Sequence, residues 1–316
     1  MKKFPSLNQY RHVIKEIRSR HDYKGKDESG NVIIQHTNPY PTLTFKGTIK
    51  LHGTNAGIVK YKDRIEMQSR ERVITPVSDN MGFATKYTNV DLSSIFDKFE
   101  FNDFVAIYGE WCGGNVQKGV ALSEIKDKMF VIFAVMVDDY WVNFDETLKS
   151  EDLRIYNILQ FPIYDIEIDF NNPELAQNKL IEMTIEVENE CPVGNHFGVS
   201  GVGEGIVFQS VDYPSVRFKS KGEKHSISKV KTLNAVDTEK IESIEVFVEY
   251  AVTENRLNQG LEHVELNVKN TGDFIRWVSS DIVKEELDVL QSNNLTMKDV
   301  GSKVAAKCKQ FFLSKV

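Results

Sequence analysis

Hydrophobic and polar positions change their spacing five times along this chain. From Leu7 to Arg18 apolar side chains recur at helical intervals with charges between them, which predicts an N-terminal helix. The stretch Asp22 to Pro41 is rich in Gly, Asn, Asp and Pro and reads as irregular structure. From Thr42 onward the pattern becomes short runs of β-branched and aromatic residues, most of them bounded by turn residues. Leu43–Lys50, Ala56–Tyr61, Arg64–Gln68, Phe104–Tyr108 and Met129–Val137 are the predicted strands. Helical spacing returns at Asn172–Val187, and strands follow at Gly205–Ser210 and Ser215–Ser220. Beyond about Asn234, Glu239–Glu249, Asp273–Gln291 and Lys298–Phe312 read as helices with few β signals between them. The pattern therefore predicts a mixed domain up to about Leu233 and a helical domain after it.

Composition narrows the class. Of the 316 residues, 41% are hydrophobic and 27% charged, as in an ordinary globular protein. No apolar run approaches a membrane span, and Met1-Lys2-Lys3-Phe4-Pro5 lacks the apolar core of a signal peptide. Cys112, Cys191 and Cys308 form no CxxC pair, which fits a reducing cytoplasm and argues against a structural zinc site. A formal net charge of −7 argues against indiscriminate polyanion binding, so nucleic acid would have to meet a local basic patch. One exists: Arg217, Lys219, Lys221, Lys224, Lys229 and Lys231 are opposed only by Glu223. Arg217, Lys219 and Lys221 alternate, so a strand would aim all three at one face, where an anion would relieve their repulsion.

The most informative run is Lys50-Leu51-His52-Gly53-Thr54-Asn55. A lysine amine can hold a nucleotide as a phosphoramide, stable enough to wait and labile enough to pass its nucleotide on. Gly53 lets backbone approach a phosphate, while Thr54 and Asn55 offer short polar groups. Four further segments follow in order: Ser69-Arg70, Ile107-Tyr108-Gly109-Glu110-Trp111, Glu204-Gly205-Ile206-Val207-Phe208 and Val216-Arg217-Phe218-Lys219-Ser220-Lys221. Each alone is a turn or a hairpin entry; all five in this order are not expected by chance.

On these motifs the sequence resembles the bacteriophage RNA ligase 2 family, relatives of the trypanosome editing ligases within the covalent nucleotidyltransferase superfamily. The likeness runs from about Leu43 to the C-terminus, where Tyr250-Ala251-Val252-Thr253-Glu254-Asn255-Arg256 looks like the helix opening the family's C-terminal domain. The resemblance implies an α+β fold. A nucleotidyltransferase domain of antiparallel sheets with flanking helices (42–234) precedes a small all-α RNA-binding domain (235–316), and residues 1–41 are an N-terminal extension. It implies an ATP-dependent RNA ligase that joins 3′-OH and 5′-phosphate ends. Magnesium is its expected cofactor, with manganese able to substitute. It also implies a monomer that acts on nicked duplex RNA away from membranes, in the cytoplasm (of a host cell if viral).

Residue by residue, Lys50 would become lysyl-AMP, with its pKa depressed by cations such as Lys219 and Lys221 or by a metal. His52 would assist the departing pyrophosphate, and Leu51 would flank the nucleotide. Asn55 would contact the phosphate of the RNA end, Arg70 the nucleotide's phosphate or ribose, and Glu110 the ribose hydroxyl. Phe133 would stack on adenine; read without the resemblance it is a core aromatic in a strand. Glu204, together with Glu110, would bind magnesium, and Lys219 and Lys221 would neutralise the α-phosphate. Thr253, Asn255 and Arg256 are candidate RNA contacts.

Three positions depart from the family pattern: Ala134 where an acid often follows the stacking Phe, Gln209 where Lys is common, and Ile49 where some members carry Glu. DNA ligases have Lys-x-Asp-Gly at the nucleophile and an OB domain behind it, and capping guanylyltransferases share that OB fold. The His-Gly pair and helical tail oppose both. A non-catalytic RNA-end-binding homologue draws support from Ala134 and Gln209 but is opposed by intact Lys50, Glu204, Lys219 and Lys221.

Overall fold

The computed structural model describes residues 1–35, 39–222 and 244–316. Lys224, Lys229 and Lys231, with the first residues of the helix expected from Glu239, lie outside the described residues. Two compact units emerge: Met1–Asn8 with Val13–Ser220, and Gln9–His12 with Lys221–Val316. The N-terminal helix α1 covers Tyr10–Asp22 and buries Tyr10, Val13 and Ile17, spaced three and four apart.

The strands of the first unit are β1 (Tyr23–Lys26), β2 (Val32–Ile34), β3 (Thr42–Ile49), β4 (Thr54–Tyr61), β5 (Ile65–Ser69) and β6 (Val73–Ile74). They continue with β7 (Phe104–Cys112), β8 (Met129–Val137), β9 (Tyr140–Val142), β10 (Ile155–Asn157), β11 (Tyr164–Asp169), β12 (Gly205–Ser210) and β13 (Arg217–Lys221). Strands β1 and β2 pair as a hairpin inside the stretch expected to be irregular. Local chemistry explains it: the Asp27 carboxylate accepts from the amides of Ser29 and Asn31 at 2.9 and 2.8 Å and folds the turn. Strand β2 stays exposed throughout, so no burial pattern marked it.

One sheet runs in the order β11-β3-β12-β13. Strand β3 alternates buried and solvent-facing residues, as its sequence predicts. A Cβ at its Gly47 would lie 2.6 Å from the Phe208 ring, so close strand packing requires a glycine there. The second sheet has seven strands, with β9-β8-β7-β4-β5-β6 in order and β10 paired to β8. Strand β7 reads as an unbroken apolar run because both faces are covered. Ile107 and Trp111 join the core under the helices Phe83–Tyr87 (α2) and Ser93–Phe96 (α3). Ala106 and Tyr108 join the opposite core with Val59 and Ala134. Between Tyr108 and Gly109 the β7–β8 register slips: Tyr108 pairs with Ala134 and Gly109 with Ile132, leaving Phe133 as a bulged residue. The remaining helices of this unit include Ala121–Glu124 (α4), Gln177–Asn189 (α5) and Pro192–His196 (α6). The first of these was not expected, and a Pro173–Ala176 3-10 turn delays the start of α5.

The second unit is helical: Ile244–Ala251 (α7), Glu254–His263 (α8), Thr271–Ser292 (α9) and Met297–Leu313 (α10). Phe247, Phe274, Val278, Ile282, Val304 and Phe312 are fully buried in its core. The helix expected through Tyr250–Arg256 is instead two helices. The Thr253 hydroxyl accepts from the Arg256 amide at 3.2 Å and caps α8, so the chain turns where a continuous helix was expected. Helix α9 breaks its geometry at Glu286. That carboxylate is 1% exposed and takes Tyr250 Oη at 2.7 Å, Arg11 Nη2 at 2.9 Å and Arg256 Nη2 at 3.2 Å. No helix among the described residues is long and apolar enough to cross a membrane.

Candidate active site

The loop from Lys50 to Gly53 leaves β3 in one sheet and enters β4 in the other. The β3–β12 ladder pairs Ile49 with Ile206 and extends one step further, as the Lys50 amide donates to the Gly205 carbonyl at 2.8 Å. That register sets Glu204 beside Lys50. Nζ of Lys50 lies 2.7 Å from Oε2 of Glu204, and His52 Nδ1 is 3.3 Å from the same oxygen. The Glu204 residue is only 3% exposed, so the charged hydrogen bond operates in a poorly solvated place.

Gly53 has no room for a side chain. A Cβ there would sit 2.4 Å from the Trp111 carbonyl oxygen and 2.8 Å from Cys112 Cβ. This close approach brings the Gly53 amide to Oε1 of Glu110, to which it donates at 3.0 Å. Thr54 pairs with Trp111 and Asn55 with Glu110 in the β4–β7 ladder, and Asn80 Nδ2 donates to Thr54 Oγ1 at 3.1 Å. Burial raises the Glu110 carboxyl to about 7. Lys50, His52 and the Gly53 amide pull the other way, while the Glu204 charge adds to the rise. Three distant segments thus bring an amine, an imidazole and two carboxyls into one electrostatic group.

The ion-pair partner of Lys50 is a carboxylate. Leu51 is buried at 5% exposure. Lys219 and Lys221 are half-buried on β13, beside β12 in the same sheet as Lys50. Arg217 does not share a solvent face with them. It is 7% exposed, its Nε donates to Gln209 Oε1 at 2.7 Å, and its guanidinium lies 4.2 Å from the Trp141 ring centroid and 5.3 Å from that of Phe4. Burial lowers its pKa to about 10, and its Nη1 has no hydrogen-bond partner among the described residues. Alternation along a strand could not say that aromatic rings would cover Arg217. Gln209, one of the departures from the family pattern, is thereby tied to Arg217, and Ala134 faces the core with Tyr108.

Phe133 is half-buried on its bulge, with its ring 5.0 Å from that of Phe4. Arg70 is exposed just after β5 and donates to Ser6 Oγ at 2.9 Å. The N-terminal residues, absent from the motif set, therefore reach Arg70, Tyr108 and Arg217 of that set, and Lys2 exchanges hydrogen bonds with Gln68, next to Ser69-Arg70. Nothing in the apolar spacing of 1–6 signals this.

Two of the candidate RNA contacts have other work. Arg256 is 0% exposed and binds Asp281 at 2.9 Å, Glu286 at 3.2 Å and the Ala251 carbonyl, so its donors are spent inside the helical unit. Thr253 is 4% exposed and serves as the cap of α8. Both expectations of direct RNA contact are corrected by that burial. Asn255 keeps partial exposure.

The sequence matches the model of one protein family, RNA ligase, over residues 44–231. That is well over half of the chain, and the chain belongs to the RNA ligase family. No curated protein matches it. Among solved structures, Naegleria gruberi RNA ligase with PPi is 14% identical with a TM-score of 0.44, covering 70% of this chain and 56% of that one. A variant of the same ligase with ATP and Mn gives 15% and 0.44, and an apo variant 15% and 0.46, with the same coverage. The chain thus spans little more than half the length of those ligases.

Proposed function

We propose that this chain is an ATP-dependent RNA ligase of the phage RNA ligase 2 type, in which 42–234 is the nucleotidyltransferase domain and 235–316 an RNA-binding helical domain. Its substrates are RNA 3′-OH and 5′-phosphate ends, held at a nick in a duplex by a monomer in the cytoplasm. The observation that carries the reading is the convergence of Lys50 Nζ and His52 Nδ1 on one oxygen of Glu204, inside the stretch matched to the family.

The geometry suggests how the residues divide the labour. Lys50 must attack the α-phosphorus of ATP as a neutral amine, forming a P–N bond as the bond to pyrophosphate breaks. Glu204 Oε2, at 2.7 Å, is the acceptor at hand for the amine's proton. His52, on the same oxygen, is placed to deliver a proton toward the leaving pyrophosphate. Glu110, held at the Gly53 amide, meets a ribose hydroxyl. Phe133 stacks on adenine, and Leu51 flanks it. Arg70 and Asn55 hold phosphate groups, and Lys219 and Lys221 neutralise the α-phosphate. The 5′-phosphate of the RNA then takes AMP from Lys50, and the 3′-OH displaces AMP to seal the strand.

A magnesium or manganese ion fits the donor set. Among the described residues no group of three His, Cys, Asp or Glu could hold a metal alone. Glu204 and Glu110, however, provide the one or two carboxylates that magnesium uses when substrate phosphates and water complete its shell. Bound there, the ion would supply charge neutralisation to the phosphates.

The test is covalent labelling with ATP labelled in the adenylate and magnesium. Wild type is expected to take label and Lys50→Ala none; label retained by Lys50→Ala, or missing from wild type, would overturn the assignment. Sealing of nicked RNA but not nicked DNA is expected of the labelled enzyme.

A further inference from the structure

A cavity of about 400 Å³ lies in the first unit, lined by Met81, Gly82, Lys86, Trp111, Gly114, Lys126, Asp127, Lys128 and Arg154. Glu110 and Trp111 are successive residues of β7 and so point to opposite faces of the sheet. The cavity therefore sits on the helix-covered side, with α2 supplying Lys86, and away from the Lys50–Glu204 pair. Its wall carries four cations against one carboxylate, in a chain whose net charge is −7.

The cations fall into two kinds. Arg154 and Lys128 are anchored: Arg154 Nε and Nη2 donate to the carbonyls of Lys128 and Asp127, and Lys128 Nζ donates to the Met81 carbonyl at 2.7 Å. Lys86 Nζ lies 5.7 and 6.0 Å from the ring centroids of Tyr87 and Trp111 and feels Asp127 only at a distance, and neither it nor the exposed Lys126 makes a hydrogen bond or ion pair among the described residues. Partial burial and the Arg154 charge lower the Lys86 pKa, as for an ammonium in need of a counter-ion. Asp127 approaches Arg154 only at 4.0 Å and is largely exposed, so it neutralises little of the wall.

The backbone of the cavity is also unusual. Met81, Gly82, Gly114 and Arg154 all have positive φ, at 54°, 85°, 51° and 57°. Two of the four are not glycine, and such conformations persist where surrounding contacts enforce them, often at ligand sites. Here the enforcement is visible: Trp111 Nε1 and Lys128 Nζ both bond the Met81 carbonyl. A Cβ at Gly114 would lie 2.6 Å from Lys128 Cγ, so the glycine leaves that lysine its place.

We infer that this cavity is a second anion site that grips a backbone phosphate of the RNA strand at a distance from the reacting ends. The inference rests on the RNA ligase reading for its ligand. Lys86 and Lys126 supply the unspent charge, and Arg154 and Lys128 form the fixed wall.

The test uses the full chain and the double variant Lys86→Gln with Lys126→Gln, neither residue belonging to the nucleotide machinery. Binding of a nicked RNA duplex is measured from low to moderate salt, beside labelling by ATP and calorimetry with inorganic pyrophosphate. Losing one phosphate contact should flatten the slope of log affinity against log salt by about 0.9. Affinity should fall about fivefold to tenfold near 0.1 M salt, with labelling within about twofold of wild type. Unchanged slope and affinity in a protein that labels normally would sink the site alone. Pyrophosphate binding that the double variant abolishes while RNA affinity and salt slope stay unchanged would assign the cavity to a free anion and overturn the RNA assignment. Wild type that neither labels nor binds RNA would sink the ligase reading and this inference with it.

Discussion

Glu110 gives the sharpest link between the site and stability. Its carboxyl moves from 4.5 to about 7 in the folded chain, chiefly through burial. The folded state therefore holds the proton more tightly than the unfolded state, and stability contributed by protonation is complete below pH 4.5 and lost as pH rises through 7. The full shift corresponds to about 3 kcal/mol, and the window from about pH 5 to 8 captures roughly 2.5 of it. Lys50, His52 and Glu204 share the field with Glu110 and spread the titration, so a difference of at least about 1 kcal/mol is the working threshold. Glu110→Gln removes the titration while its amide oxygen can still accept from Gly53. Urea unfolding of wild type and variant at pH 5, 6, 7 and 8 (conditions of roughly this range), in a Trp277→Phe background so that Trp111 and Trp141 report, should show wild type losing ground to the variant as pH rises. A stability difference that stays flat across that range, or runs the other way, would refute the burial of this carboxyl.

Four other outcomes follow from single contacts. Glu204→Gln should slow labelling by about 100-fold or more near neutral pH and recover as pH rises, because another base then takes the amine's proton; a loss equal at all pH values would make Glu204 a positioning residue only. Gly53→Ala should cost about 1–3 kcal/mol in thermal unfolding and abolish labelling, since the added carbon meets backbone rather than a side chain that can turn away. Arg256→Ala should destabilise the helical unit by about 2–3 kcal/mol, because Asp281 loses this cation and the buried Glu286 keeps only Arg11 and Tyr250, and Arg256→Lys should recover only part of it. Burial raises the thiol pKa of Cys112, Cys191 and Cys308, so native protein at pH 8 should resist a thiol reagent that modifies all three after unfolding.

The Lys50 loop was readable because its parts are contiguous. Lys50 to Asn55 carries its chemistry in six residues, and β3 and β4 on either side alternate clearly enough to place it at a strand end. Glu204 was readable for a similar reason, as a carboxylate and glycine leading into an apolar strand. What sequence spacing cannot supply is the identity of the neighbour across space. Arg217 shares a strand parity with Lys219 and Lys221, yet it is buried against Phe4 and Trp141, which lie more than seventy residues away in the chain. Arg256 has the composition of a nucleic-acid contact, and only the positions of Asp281 and Glu286 on α9 reveal that its charge is already matched. The β1–β2 hairpin escaped for the opposite reason: a single aspartate side chain folds its turn, and no core stands behind it.

The charge pattern around Lys50 bears on how one pocket can run both halves of the proposed reaction. A nucleophile ringed only by cations would be cheap to deprotonate but would have nothing to fix its direction. Here a nearly buried carboxylate holds Nζ at 2.7 Å and can also receive its proton. Glu110 adds a second carboxyl to the group: near its midpoint at neutral pH it can shed or gain charge, so the site's total charge can adjust by one without a residue moving. Gly53 makes that coupling possible, because only a residue without a side chain lets the Lys50 loop press onto β7 closely enough for its amide to reach Glu110. The glycine and the two glutamates therefore act on the lysine as one unit, and substituting any one of them should alter the pH dependence contributed by the other two.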